Sequence, residues 1–564
     1  MSPLKIVILA ITIAVASTRP VYSATPWTPC SPSRWAPNGA ASKIIINVYL
    51  NPALASYLAL PQADIERSIA EATSIFNEQS GAAFALRWSG APPVGVSIPS
   101  LKAIYITYSP TLACGGGTSM AVYGTNQNGI IDYRSIEVRK FLNFNGSQCT
   151  SPITWIFTRE EYECTTYVGQ PACPVSVLDF TSRILHEFGH ASTFGDPHPA
   201  QSPCPATSPN MTDPNNQQSI MDANGANNAA RTLRAWDKHR LANIYQHREQ
   251  YSSLEYRIRN NSTNQWGGVQ VALAAPSHIQ HRPVASQNGS SIVLEWNERG
   301  GLNRGALKSR WFGTFFANSY EDLTTIDAEA PGGIAIDTIN NRAIVVYQRH
   351  QSPAYGPNGE VMSLYYKLSV DGGGSFGPEI SMNLASRRYG IGVGFDPVTS
   401  RFIISYGEEA TQNTPTNKMR FVTLPSIGGP LVYTTFSNTP GLEGASIACR
   451  NATLGCRFVY RDNQYGLRLI TALVNTDGTL GASTNTQVGY YAFGQPSIVW
   501  SEAEQQFHLA FRGGFGTIYS FKLASTGTTW TGSSDIFNDS TVAISMPTLA
   551  TSTLLTFGWY VRWW

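Results

Sequence analysis

Charge is scarce in this chain. Only 13% of its 564 residues are charged, 39 Lys and Arg against 37 Asp and Glu, and no basic run occurs anywhere. A chain without a basic stripe cannot track a phosphate backbone, so neither nucleic acid nor an anionic membrane is an expected partner. Long apolar runs are lacking too. The one notable stretch, Ile6 to Ala16, is about 11 residues, short of the roughly 20 a bilayer needs, and no membrane span is expected. No two cysteines have C-x-x-C spacing, which removes the common zinc and dithiol redox sites of that form. A recognisable propeptide is missing as well, since little chain separates the start of the mature protein from the first strand-like run.

What is present begins with a secretory pattern. Lys5, the apolar run after it and the small residues Ser23 and Ala24 form the three parts of a signal peptide over residues 1–23, so the protein is expected to be secreted and extracellular. Eight cysteines, an even number, suit a disulfide framework in that compartment. Cys449 and Cys456 bracket a turn-like stretch and are expected to bridge one hairpin. Cys30, Cys114, Cys149, Cys164, Cys173 and Cys204 allow too many pairings for sequence to choose among, although Cys164 with Cys173 would make a local staple. With 42% hydrophobic and 11% aromatic residues, 49 Gly and 34 Pro, the composition fits a turn-rich β protein, and the length calls for more than one core.

Two kinds of pattern divide the chain. Over residues 24–247 strands and helices mix: Ser42 to Leu50 reads as a strand, Pro61 to Ser80 as a helix with Ile65, Ile69, Ala72 and Phe76 on one face, and Ala103 to Tyr108 and Ser135 to Val138 as further strands. This is an α+β pattern. Over residues 248–564 helical periodicity vanishes and a two-strand unit recurs: VASQNGSSIVLEW from Val284, IAIDTINNRAIVVYQ from Ile334, VGFDPVTSRFIISYG from Val393, IACRNATLGCRFVYR from Ile447, IVWSEAEQQFHLAFR from Ile498 and LATSTLLTFGWYVRW from Leu549. Spacings of about 50 to 59 residues are those of four-stranded propeller blades, and six copies predict six blades. The last copy has only two strands, and Glu255 to Leu273 carries about two more. Joining these would close the ring; a pair of β-sandwiches is the alternative.

The sharpest chemical signal is His186-Glu187-Phe188-Gly189-His190, within a helix expected over Leu178 to Phe194 and capped by a box of Ser176 and Asp179. Histidines four apart share a helix face and can reach one metal ion, and Glu187 beside them can take a proton from water without being a ligand. A catalytic zinc needs a third protein ligand and one open position. The stretch HEFGHASTFGD resembles the metzincin motif, which implies Zn2+ bound by His186, His190 and Asp196. It departs from that motif at Thr193, where the family has Gly; Gly195 could supply the turn, and His198 then rivals Asp196. Met221, in Ser-Ile-Met-Asp, resembles the family's methionine turn, and Arg231 to Gln246 its closing helix. The resemblance implies a zinc endopeptidase acting on a protein or peptide, with Glu187 as general base and only a cleft of unread shape to set its preference.

In the second half, Ser369-Val-Asp371-Gly-Gly373-Gly-Ser-Phe376 resembles the Asp-box of sialidase-like propellers, a structural turn in that family; Asn475-Thr-Asp477-Gly and Ser525 to Trp530 carry weaker versions. Tyr256-Arg257-Ile258-Arg259 is similar to a sialidase segment whose arginine binds the substrate carboxylate, with its Pro missing. The expected whole is thus a metzincin-like α+β catalytic domain followed by an all-β six-bladed propeller that docks on a glycan or an extracellular protein. The alternative is a glycosidase or glycan-binding adhesin whose protease-like part is inactive.

Overall fold

A computed structural model of the protein describes residues 34–35, most of 44–157, 177–192 and most of 252–562, with Leu233, Leu241, Ile244 and Tyr245 between them. The signal segment, Cys30, Cys149, Cys164, Cys173, Cys204, Thr193, Asp196, His198 and Met221 lie outside the described residues.

In chain order the first part holds β1 (Arg34–Trp35), β2 (Ile44–Leu50), α1 (Leu54–Leu58), α2 (Gln62–Gln79), β3 (Phe84–Trp88), β4 (Ile104–Thr107), β5 (Cys114–Gly116), β6 (Met120–Gln127), β7 (Ile130–Val138), β8 (Phe141–Asn143), β9 (Ser151–Pro152), β10 (Thr154–Ile156), β11 (Val177–Asp179) and α3 (Phe180–Ala191). β7, β4, β2 and β3 lie side by side in parallel, β1 adds to β7 in parallel, and β6 pairs with β7 antiparallel. Parallel neighbours need a crossover, and α2 supplies it between β2 and β3. Its apolar stripe, Ile65, Ile69, Ala72 and Phe76, is fully buried or nearly so. Pro61 stands at its N-cap in extended conformation, and Gly81 takes φ 63° just past its end, where an L side chain would be strained.

Alternation along β2 and β3 gives the sheet two different faces. Ile44, Ile46, Val48, Phe84 and Leu86 join one core with Ile69, Phe76, Ile184, Leu185 and Phe188 of the helices. Ile45, Ala83 and Ala85 point the other way, into a second core with Leu254, Tyr256, Leu294, Trp296 and Trp559 of the C-terminal part. Small alanines at these positions let the β-rich part come close to the sheet. The two parts therefore share buried apolar surface, and residues 32–564 form one compact unit.

The C-terminal part is a β-propeller. Five antiparallel four-stranded sheets follow one another, at residues 284–324, 333–387, 392–434, 446–491 and 497–537. Six blades are expected from the sequence, and the regular ones number five. The sixth copy supplies only Thr548–Thr551 and Leu555–Arg562, which pair with Ser253–Asn260, Gln265–Trp266 and Gln270–Leu273 in a five-stranded sheet of mixed origin. The count differs because each copy announces itself by its first hairpin, whereas a regular blade also needs its third and fourth strands from the same stretch of chain. Among the described residues no pair of sandwiches forms. Helices are few, and no described helix is long and apolar enough to cross a membrane.

At one position of the repeat the inner two strands pair residue to residue by different means. Phe395 faces Phe402 with ring centroids 5.5 Å apart, and Trp500 faces Phe507 at 4.7 Å. In the blade between them the equivalent pair is the expected disulfide, Cys449–Cys456. The Asp-box is a structural turn, as its family likeness implies. Ser369 Oγ accepts from the backbone N–H of Gly373 at 2.8 Å, Asp371 accepts from the backbone N–H and hydroxyl of Ser375, and Gly373 (φ 98°) comes so near Val293 of the preceding blade that a Cβ would collide. Burial works against the Asp371 carboxylate, but these hydrogen bonds hold its pKa below the ordinary value.

Candidate metal centre

The helix bearing the histidines starts at Phe180, two residues after the Leu178 its sequence suggests. Val177–Asp179 is β11, paired in parallel with β10, and Ser176 lies outside the described residues. Asp179 alone caps α3, its carboxylate accepting the backbone N–H of Ser182 at 2.9 Å. Phe180, Ile184, Leu185, Phe188 and Ala191 are completely buried, which fixes the helix in rotation as well as position.

That rotation brings His186 and His190 together. Their Nε2 atoms lie 3.0 Å apart, with the rings edge to face at 85°. Two nitrogens each bound to one tetrahedral zinc at ordinary length sit about 3.3 Å apart, so the pair is close to the spacing a shared ion requires. A neutral pair sharing one N–H···N hydrogen bond has a similar separation, and metal uptake distinguishes the two. Glu187 is 5% exposed. The residue sequence reasoning missed is Arg183, one turn before Glu187 on the same helix. Burial lowers the Arg183 pKa, while attraction to Glu187 and Asp179 opposes that. An arginine four residues before a glutamate on a helix was visible in the sequence and is the signal that could have found it.

The structure thus brings together His186 and His190, with Glu187 between them in the chain of α3, and Asp196 and His198 fall outside the described residues. Among the described residues, the His, Cys, Asp and Glu side chains grouped as three possible metal ligands are Asp396, Cys449 and Cys456. Both cysteines are spent in the disulfide there, and Asp396 already accepts hydrogen bonds from Val398 and Thr399 in a turn.

The propeller encloses a central channel of about 440 Å³. Its lining includes Ser286, Ser446, Gln495, Ser497, Trp500 and Glu502, and among the described residues that line it there is no arginine. Arg257 and Arg259 lie on the strand third from the axis in the closing sheet. Arg259 is 1% exposed and committed elsewhere: it ion-pairs with Glu504 at 2.5 Å and lies 3.2 Å from His508 Nε2, while Lys522 Nζ reaches the other oxygen of Glu504 at 2.8 Å. Burial opposes the Glu504 charge, but hydrogen bonds from His508 and Lys522 and the charge of Arg259 hold its pKa down to about 2. Burial keeps that of His508 below its usual value, against the pull of Glu504.

No protein-family model matches the chain, and no curated protein does. Solved structures with a similar fold exist. A protein of unknown function from Dyadobacter fermentans is 12% identical over 50% of this chain and 94% of its own, with TM-score 0.37. A Trypanosoma rangeli sialidase is 10% identical over 55% of this chain, with TM-score 0.37, and the match covers 59% of that enzyme, less than two thirds of its length. The Aleuria aurantia lectin is 13% identical over 51% of this chain and 97% of its own, with TM-score 0.35. Likenesses so distant carry no function across. None of these comparisons shows a metzincin domain; the propeller stands on its own strand order.

Proposed function

We propose that this protein is a secreted, metal-dependent peptide hydrolase whose α3 helix bears the reaction centre. The observation that supports this most is the convergence of His186 and His190 at 3.0 Å on a helix whose rotation is fixed by burial. Both imidazoles fit as ligands of a zinc ion, with Asp196 as the third and His198 its rival. A bound zinc ion would polarise the scissile carbonyl and lower the pKa of a water molecule. Glu187 takes the proton of the attacking water and passes it to the leaving amine. Arg183, on the same helix, is attracted to Glu187. The test is metal content of the purified full-length protein together with casein cleavage, with and without a chelator. Protein that takes up no zinc, or that cleaves equally well in excess chelator, sinks the proposal.

A second reading gives the propeller a carbohydrate ligand, and its motive is the mixed lining of the channel, where Trp500 stands among the polar groups Ser446, Gln495, Ser497 and Glu502 on a wall that also carries apolar side chains. A sialidase and a fucose-specific lectin stand among the solved structures of similar fold. A glycan array probed with the full-length protein tests this reading; no bound glycan at micromolar protein would end it.

A further inference from the structure

The helix α2 has two buried faces. One is its apolar stripe, which packs on α3: Phe76 meets Phe188 edge-on with centroids 6.2 Å apart, and Ile65, Ile69 and Ala72 share the core of Ile184 and Leu185. The other is polar and turned to the propeller. Arg67, Glu71 and Ser74 stand at i, i+4 and i+7, one line down the helix. Arg67 lies 5.5 Å above the ring of Tyr491. Glu71 Oε2 is 2.8 Å from Arg461 Nη1, and Ser74 Oγ accepts from Arg512.

Arg461 is the centre of this contact. Its Nη2 also reaches Glu443 Oε1 at 2.8 Å, and the side chains of Glu71, Arg461 and Glu443 are 4%, 4% and 8% exposed. One guanidinium thus holds two buried carboxylates, one from each part of the molecule. A second contact comes from Phe493, which enters the core of the helices from the connection between the fourth and fifth blades. The repeat itself marks the arrangement. One residue after the aromatic at Tyr347, Tyr406, Tyr460 and Phe511 stand Gln348, Gly407, Arg461 and Arg512. Arginine occupies that place in the two of these blades that touch α2.

We infer that the propeller positions the histidine pair: Arg461 fixes α2, and α2 fixes the rotation of α3 through Phe76 and Phe188. Arg461 is therefore a positioning residue for the metal centre, and this rests on the metal reading given above. Packed helices do not slide continuously, because each is held by interdigitated side chains. With Arg461 gone, Glu71 and Glu443 are buried without their shared countercharge, and α2 relieves them by shifting.

The test loads the full-length protein with cobalt(II), whose visible spectrum reports ligand geometry, and measures affinity and spectrum together. Arg461→Gln should bind cobalt about 3- to 30-fold more weakly, the range of couplings carried through packed elements, with an altered spectrum. Arg461→Lys should recover most of the affinity. Arg259→Met is the control: it breaks a buried ion pair of the propeller away from α2, and should lower stability while leaving cobalt affinity and spectrum unchanged. If Arg461→Gln does not fold, Arg512→Gln, at the side of the same contact, should show a smaller shift in the same direction. A parent protein that binds no cobalt refutes the metal centre and this coupling with it. If the parent binds and the folded Arg461 or Arg512 variant matches it, or Arg259→Met weakens binding equally, the coupling alone is refuted.

Discussion

Histidine and glutamate are buried together in two places in this protein, and the two places are built differently. On α3, His186, Glu187 and His190 come from one turn and a half of helix, and the imidazole nitrogens converge on each other. In the propeller, Glu504 and His508 also sit four residues apart, yet they are drawn from a strand and the turn before it and meet Arg259 and Lys522 from two other strands. There each charge has an opposite one at hydrogen-bond distance, which makes the cluster a fastening between the closing sheet and the fifth blade. Residue type does not distinguish a site from a clasp. What differs is the partner each histidine faces: another imidazole on α3, a carboxylate in the propeller.

That comparison can be broken most decisively at α3. His190→Ala should abolish metal binding, measured by elemental analysis, because it removes one of the three protein ligands proposed above. Glu187→Ala should keep the metal and lose about 10²- to 10⁴-fold in peptide cleavage; a variant that cleaves like its parent would make this cluster a second clasp. Of Asp196→Ala and His198→Ala, the one that loses zinc names the third ligand, and if neither does, that ligand lies elsewhere. In the propeller the prediction is reversed. Arg259→Met should leave cleavage intact and cost about 3–5 kcal/mol of stability in denaturant unfolding, since Glu504 is stranded with less countercharge.

Acid should loosen the clasp in two stages. His508 resists protonation in the fold, below its ordinary 6.5, so the unfolded chain binds that proton first and stability falls as the pH drops below about 6.5. Glu504, at about 2 against an ordinary 4.5, contributes stability above 4.5 that is lost between there and 2. Urea midpoints measured from pH 7 to pH 3 check both stages, and His508→Gln should flatten the first. The smallest effect is expected at the Asp-box, where Asp371→Ala removes accepted hydrogen bonds at about 1–2 kcal/mol and should not change cleavage.

Much of this was legible in the sequence. The four-residue spacing of His186 and His190 and the stripe of Ile65, Ile69, Ala72 and Phe76 are local periodicities, and local periodicity survives into structure because helix geometry is fixed. The bridge between Cys449 and Cys456 was legible because the two cysteines bracket the turn of one hairpin, seven residues apart. The polar line Arg67, Glu71 and Ser74 was not: on a helix seen alone it is the solvated face, and only the docked propeller turns it inward. Nor could the cap be read correctly, because Ser176 and Asp179 have capping spacing, while the pairing of β11 with β10 is non-local and decides where the helix begins. Blade number was legible only in part: five of the six hairpins begin regular four-stranded blades, while the last pairs with strands from residues 253–273, far away in sequence.

The closing sheet has a consequence for biosynthesis. Ser253–Asn260 pairs along its whole length with Leu555–Arg562, from Ser253 opposite Arg562 to Asn260 opposite Leu555. A ribosome makes the first of these strands long before the second, with every regular blade emerging in between. Until the second strand is out, the incomplete propeller has two raw edges, and Tyr256 waits beside Ile45 and Ala85 without Trp559 to complete their core. The pairing most distant in sequence is also the last one possible, so the ring closes only after translation has passed it and at the entropic cost of a long loop. A chain halted a few blades early would not be a smaller propeller; it would be an open stack of strands ready to pair with its neighbours.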